Sequence, residues 1–174
     1  MKRVTLWMLV GTMVVFGASL IAVADVTETS TVTATALSIL RLSVDDTTVE
    51  FGDLGEADYD LGYKEVASAQ GLTIKTNRAW VLNVKANAAV FSYAGDSDPS
   101  KPSTDLEWKS SSSHKKITAT QADYVGLTTS DAQVAAGNRG RNITVGTSFE
   151  ILLDYEDDPA GDYSLVLTYT LTVP

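Results

Sequence analysis

The sequence predicts an all-β protein, a single antiparallel β-sandwich. Three observations lead there. Tyr163 to Val173 alternates without a break: Tyr163, Leu165, Leu167, Tyr169, Leu171 and Val173 fall on one face, and Ser164, Thr168, Thr170 and Thr172 on the other, with Val166 the only apolar intruder. A period of two marks an extended strand with one buried and one wet face. Strand-like runs recur at roughly ten-residue spacing with turn residues between them, the layout of a sandwich. After the N-terminal segment no stretch sustains a helical period, although Ser130–Ala136 has room for a single turn.

The first 24 residues read as a signal peptide. Lys2 and Arg3 give the positive start, Val4 to Ile21 is largely apolar, and Ala22-Val23-Ala24 is a small-residue cleavage site followed by polar Asp25. The alternative is an uncleaved anchor, since the apolar run approaches the length of a membrane span. Cleavage after Ala24 leaves 150 of the 174 residues, a length suited to one domain. All three Met residues leave with the signal, and the chain has no Cys, so the mature protein must cohere by core burial without disulfides. With Lys2 and Arg3 gone, 13 basic residues become 11 against 22 acidic ones, a net charge of −11. That excess argues against nucleic acid and anionic lipid as partners. The expected location is secreted, at the cell surface, with no stable membrane insertion after cleavage.

Residues 25–36 are rich in Thr, Val and Ala, β-prone but light in apolar bulk, and form an N-terminal strand able to act as a donor. The sandwich domain then spans 37–174. Leu37 to Val44 carries apolar residues on both parities, which a bulge or a doubly buried strand explains. Asp45-Asp46 turns the chain and Thr47 to Gly52 begins another strand, whereas Asp53 to Tyr63 is an acidic, Gly-rich loop. Gly71–Thr76 and Ala79–Ala86 alternate on either side of Asn77-Arg78, and read as the central hairpin, with Trp80, Leu82 and Val84 inward. Asp96–Thr104 and the serine run Ser110–Ser113 are loops around a short strand at Leu106-Glu107-Trp108. Asp123–Val134 is ambiguous, with room for two short strands around Gly126. Gly137 to Gly140 is a turn, and Ile143–Val145 and Ser148–Tyr155 follow as strands, the latter with Phe149, Ile151, Leu153 and Tyr155 inward. Asp158-Pro159-Ala160-Gly161-Asp162 then turns into the closing strand.

Two patterns place an aromatic and a leucine two residues apart on one strand face: Trp80-Val81-Leu82 and Tyr169-Thr170-Leu171, the second shortly after a Gly161-Asp162-Tyr163 corner. In this layout the chain resembles the WxL-domain surface proteins of Gram-positive bacteria, which carry one Trp-x-Leu mid-chain and another in the closing strand after a Gly-x-Tyr corner. It departs from them in having Tyr169 for the second tryptophan, and Thr76-Asn77-Arg78-Ala79 where an acidic-Arg-Gly segment usually stands. The layout is also similar to other secreted immunoglobulin-like subunits, pilin-type ones included, so the expected sandwich is immunoglobulin-like. The first resemblance implies non-covalent association with cell-wall polysaccharide or peptidoglycan, or with surface proteins. Trp80, Leu82, Tyr169 and Leu171 are in any case core residues by their alternation. Tyr163, just past the corner, is placed to bond its hydroxyl back to nearby backbone, a folding device rather than a site.

No credible catalytic set emerges. His114, the only histidine, sits in the hydrophilic run Ser110–Lys116, where nothing apolar holds a base in place. One His and no Cys make a zinc site improbable. Calcium is the one cofactor with any support: Asp154, Glu156, Asp157, Asp158 and Asp162 cluster at a turn, and Asp45, Asp46, Asp53, Glu56, Asp58 and Asp60 fall in early loops, though neither spacing matches a defined calcium loop. Asn142-Ile143-Thr144 fits the short N-glycosylation pattern. Trp108, between Glu107 and Lys109, is the best sugar-stacking candidate, with Tyr59, Tyr63 and Tyr93 behind it; the competing reading makes Trp108 an edge-strand cap on the core. Taken together these features predict a non-enzymatic surface structural or adhesion protein. A carbohydrate-binding module and a filament subunit that polymerises by donating residues 25–36 are the alternatives.

Overall fold

The structure is a computed structural model that describes residues 30–97 and 99–174. The segment 1–24, expected to be a signal peptide, and residues 25–29 lie outside the described residues. Residues 30–36 are exposed and belong to no strand or helix. The folded unit spans Ala36–Pro174.

Among the described residues eleven strands follow in chain order: β1 (Leu40–Val44), β2 (Tyr63–Thr76), β3 (Trp80–Ala86), β4 (Ser92–Gly95), β5 (Leu106–Ser111) and β6 (Ile117–Thr120), then β7 (Val125–Gly126), β8 (Ala132–Gly137), β9 (Gly140–Leu152), β10 (Gly161–Ser164) and β11 (Leu167–Thr172). A helix, α1 (Glu56–Leu61), precedes β2, and a 3-10 turn at Ser103–Asp105 leads into β5. One five-stranded sheet has the order β1-β2-β9-β5-β7, a four-stranded sheet has the order β11-β3-β8-β6, and β10 and β4 form a ribbon. Every pairing between these strands is antiparallel. The fold is therefore an all-β antiparallel sandwich.

Alternation builds its core. Leu72 and Ile74 of β2 and Ile143, Val145, Phe149 and Ile151 of β9 are buried in the first sheet; Trp80, Leu82 and Val84 of β3 and Val134 of β8 are buried in the second. Each such side chain contributes roughly 1.5–3 kcal/mol of burial free energy. Polar bonds tie the sheets together across this core. Ser110 Oγ on β5 donates to Val134 O on β8 at 2.5 Å, and Tyr169 Oη on β11 donates to Gln70 Oε1 on β2 at 2.8 Å.

Several local expectations change. β2 and β3 do not form a hairpin: they lie in different sheets, and Asn77-Arg78 carries the chain from one to the other. Asn77 anchors this corner, accepting Ile39 N–H at Oδ1 and donating Nδ2–H to Leu37 O. β8 and β9 cross between sheets in the same way at Asn138-Arg139. Ile143–Val145 and Ser148–Tyr155 are one strand, β9, and Tyr155 lies beyond it, 60% exposed rather than inward.

The closing strand is broken. β10 pairs with β4 and β11 with β3, with Leu165-Val166 between them and Val166 facing solvent. Thr47–Gly52 forms no strand. α1 stands in the stretch that reads as a loop; Asp58 caps it by accepting Gly55 N–H at 2.9 Å, and Gly62 at φ 78° ends it. Ser130–Ala136 contains the start of β8, not a helical turn. β1 needs no bulge: Leu40, Leu42 and Val44 share its inner face, while Leu37 and Ile39 are exposed before it. The bulge lies instead in β2 between Val66 and Gln70, where Ser68 has φ 52°.

Candidate functional site: a lateral groove beside a buried lysine

The edge strands β1 and β11 belong to opposite sheets and lie on the same side of the sandwich. Between them, under the irregular segment 45–55 and beside the Asp158–Leu167 segment, runs an open groove of about 1160 Å³. Val49, Phe51, Tyr59, Tyr163, Leu167 and Tyr169 line it. None of these side chains is fully buried.

One wall of the groove is built by tyrosine hydroxyls gripping three successive carbonyls. Tyr59 Oη donates to Asp158 O at 3.0 Å, Tyr163 Oη to Pro159 O at 2.7 Å and Tyr93 Oη to Ala160 O at 2.7 Å. The Tyr163 bond is the tyrosine corner that its position after Gly161-Asp162 predicts. Tyr163 also packs its ring against Tyr93 at 5.0 Å and edge-on to Phe91 at 6.3 Å. Loss of solvent, then the nearby Asp158 charge, pushes the Tyr163 phenol up to about 12, and burial does the same for Tyr169.

Behind this wall sits a buried lysine. Lys101 is 4% exposed and Asp158 6%. The Lys101 ammonium donates to Asp158 Oδ2 at 2.7 Å and Oδ1 at 2.8 Å, to Leu152 O at 2.7 Å and to Asp105 Oδ2 at 3.2 Å. Asp158 Oδ2 also accepts Asp154 N–H at 2.9 Å. The contact joins segments 57 residues apart. A charge pair so far from water is retained only when its hydrogen-bonding groups are satisfied, as these are.

The acidic turn closes on a lysine through Asp158. Asp158 points inward to Lys101, Asp154 Oδ1 accepts Glu156 N–H, and Asp154, Glu156 and Asp157 are exposed. Among the described residues no group of three or more His, Cys, Asp or Glu side chains is arranged to hold a metal ion.

Trp108 is not a sugar platform. It is 1% exposed in β5, which lies between β9 and β7 and is not an edge, so neither indole face is available for stacking. Tyr59 and Tyr93 are half-buried and engaged as above, and Tyr63 is 41% exposed at the start of β2. Trp80 is buried, with Nε1–H donated to Asn138 O at 3.2 Å. Leu82 and Leu171 are register partners across β3 and β11, so both aromatic-x-Leu motifs lie on adjacent strands. His114 lies in the β5–β6 loop, where Nδ1 accepts Lys116 N–H. Asn142 is exposed on β9.

Two features carry no local sequence signal. Lys101 lies in a Pro/Ser-rich loop with nothing to mark it as buried. On the outer face of the first sheet, Glu150 is the register partner of both Glu65 and Glu107. Partial burial, then the hydrogen bond and charge of Glu107, raises the Glu150 carboxyl above its ordinary value. Glu65 is held low, first by the Tyr124 hydroxyl at 2.6 Å and then by Lys109. No family model matches the chain, and no curated protein does.

Proposed function

We propose that this is an exported, non-enzymatic structural or adhesion protein of the cell surface, WxL-like in layout, which associates non-covalently with cell-wall polymer or with other copies of itself. The lateral groove carries this reading. It is open, lined by aliphatic and tyrosine side chains, and flanked by two sheet edges, features suited to an extended polymer or chain segment. Val166 borders it and is 65% exposed, so Val166→Lys should leave the melting temperature unchanged. Incubation with purified cell-wall sacculi followed by centrifugation tests the proposal. The wild-type protein should sediment with the sacculi or self-associate, and Val166→Lys should weaken whichever occurs. A protein that stays monomeric and in the supernatant would overturn it.

Assembly by strand donation is the second reading, favoured by residues 30–36, which are exposed, strand-free and composed of β-prone residues. Deleting residues 25–36 should then leave a folded monomer that forms no filaments. Filaments from the deleted chain would exclude this route. A carbohydrate-binding module loses its strongest candidate residue with the burial of Trp108.

A further inference from the structure

We infer that Lys101 and Asp158 condense spontaneously to an intramolecular amide, a self-modification that goes beyond the surface role proposed above. The pair has the parts such a reaction needs. Nζ lies 2.7 and 2.8 Å from the two carboxylate oxygens, which brackets Cγ within attacking reach. Their side chains are 2% and 4% exposed, so the released water is not replaced by bulk solvent poised to hydrolyse the product. Nζ must give up a proton before it attacks, and the carboxylates of Asp158 at 2.7 and 2.8 Å and Asp105 at 3.2 Å are the acceptors within reach.

The two carboxylate oxygens are not equivalent. Oδ2 accepts the Asp154 backbone N–H at 2.9 Å, and that donor is placed to stabilise negative charge developing on Oδ2 during attack. Oδ1 has Lys101 as its only hydrogen-bond partner among the described residues and is the leaving oxygen. Asp105, 3.2 Å from Nζ and 28% exposed on its side chain, is the proton carrier. The Nζ lone pair attacks Cγ, the C–N bond forms and the Cγ–Oδ1 bond breaks. Two of the three ammonium protons end on Oδ1, one relayed by Asp105, and one water departs. No oxidant or reductant is involved. The product keeps its contacts: the amide N–H still faces Leu152 O, and the amide oxygen still accepts from Asp154.

Intact-mass spectrometry of the purified full chain, with its N-terminus read from its own peptides, tests the inference. The expected mass is one water below that of the sequence, with a branched peptide joining Lys101 to Asp158 in the digest. Lys101→Arg keeps a cation that does not condense, and should show the full mass. Asp105→Ala should fold, by circular dichroism, yet remain largely uncondensed. A wild-type chain at full mass after prolonged incubation, with Lys101 and Asp158 in unlinked peptides, would overturn the inference and leave an ordinary ion pair. A condensed Asp105→Ala chain would overturn the proton-carrying role of Asp105.

Discussion

Replacing Trp108 separates a core role from a ligand platform with one measurement. The indole is 1% exposed, and Trp108 pairs in register with Phe149 on β9 and Val125 on β7, so truncation opens a void in the middle of the first sheet. Trp108→Ala should therefore cost about 3–5 kcal/mol. For a domain of this size that lowers the melting temperature by roughly 10 °C. The ring nitrogen adds a second, opposing element. Trp108 Nε1 is buried and has no hydrogen-bond partner among the described residues. An unpaired buried donor costs about 1–3 kcal/mol, and Trp108→Phe removes it while keeping most of the ring. The phenylalanine variant should consequently lie within about 1 kcal/mol of wild type, the recovered desolvation offsetting the lost volume. Urea unfolding followed by far-ultraviolet circular dichroism reads both variants without depending on tryptophan emission. An alanine variant as stable as wild type would show that the indole is not in the core. A phenylalanine variant as damaged as the alanine one would show that the nitrogen is not a liability.

Two further predictions concern pH. Because Glu150 has a raised pKa, the folded state binds its proton more tightly than the unfolded chain does, and stability falls as pH rises past the ordinary glutamate value. Glu150→Gln should therefore stabilise at pH 7, by about 0.2–1 kcal/mol for a like-charge cross-strand pair. The advantage should vanish below pH of about 4, where the wild-type carboxyl is itself protonated; urea midpoints at the two pH values check this. At the alkaline end, Tyr163 and Tyr169 hold their protons to about 12 in the folded state. An unfolded chain releases its phenolic protons near pH 10, so stability should decline as pH climbs from about 10 to about 12. Phenolate absorbance should rise together with unfolding, and Tyr163→Phe should make the decline shallower while costing about 1 kcal/mol at neutral pH for the lost bond to Pro159. Phenolate formation complete near pH 10 with the fold intact would contradict the burial of these rings.

What could be read in the residues, and what could not, follows from the range over which each signal acts. Alternation is local, and it placed Trp80, Leu82, Val84, Phe149 and Ile151 in the core, where they lie. It also held the answer for Trp108, which shares its parity with Leu106 and Ser110, both buried; the charged neighbours Glu107 and Lys109 suggested exposure only because they occupy the other face. Pairing is not local. Ile74 and Trp80 face inward whether Asn77-Arg78 closes a hairpin or carries the chain between sheets, so the pattern is the same for both topologies. α1 has six residues, too few for a 3.6-residue period to show, and only Gly62 hinted at its end. The break at Leu165-Val166 leaves parity intact, which is why β10 and β11 read as one strand though they pair with different partners. The Lys101–Asp158 contact depends on two loops meeting after the sheets have formed, and composition favours exposure for both residues. Burial of the pair is thus a property of the assembled sandwich: the strands that bring β4 beside β10 are also those that bring an amine against a carboxylate.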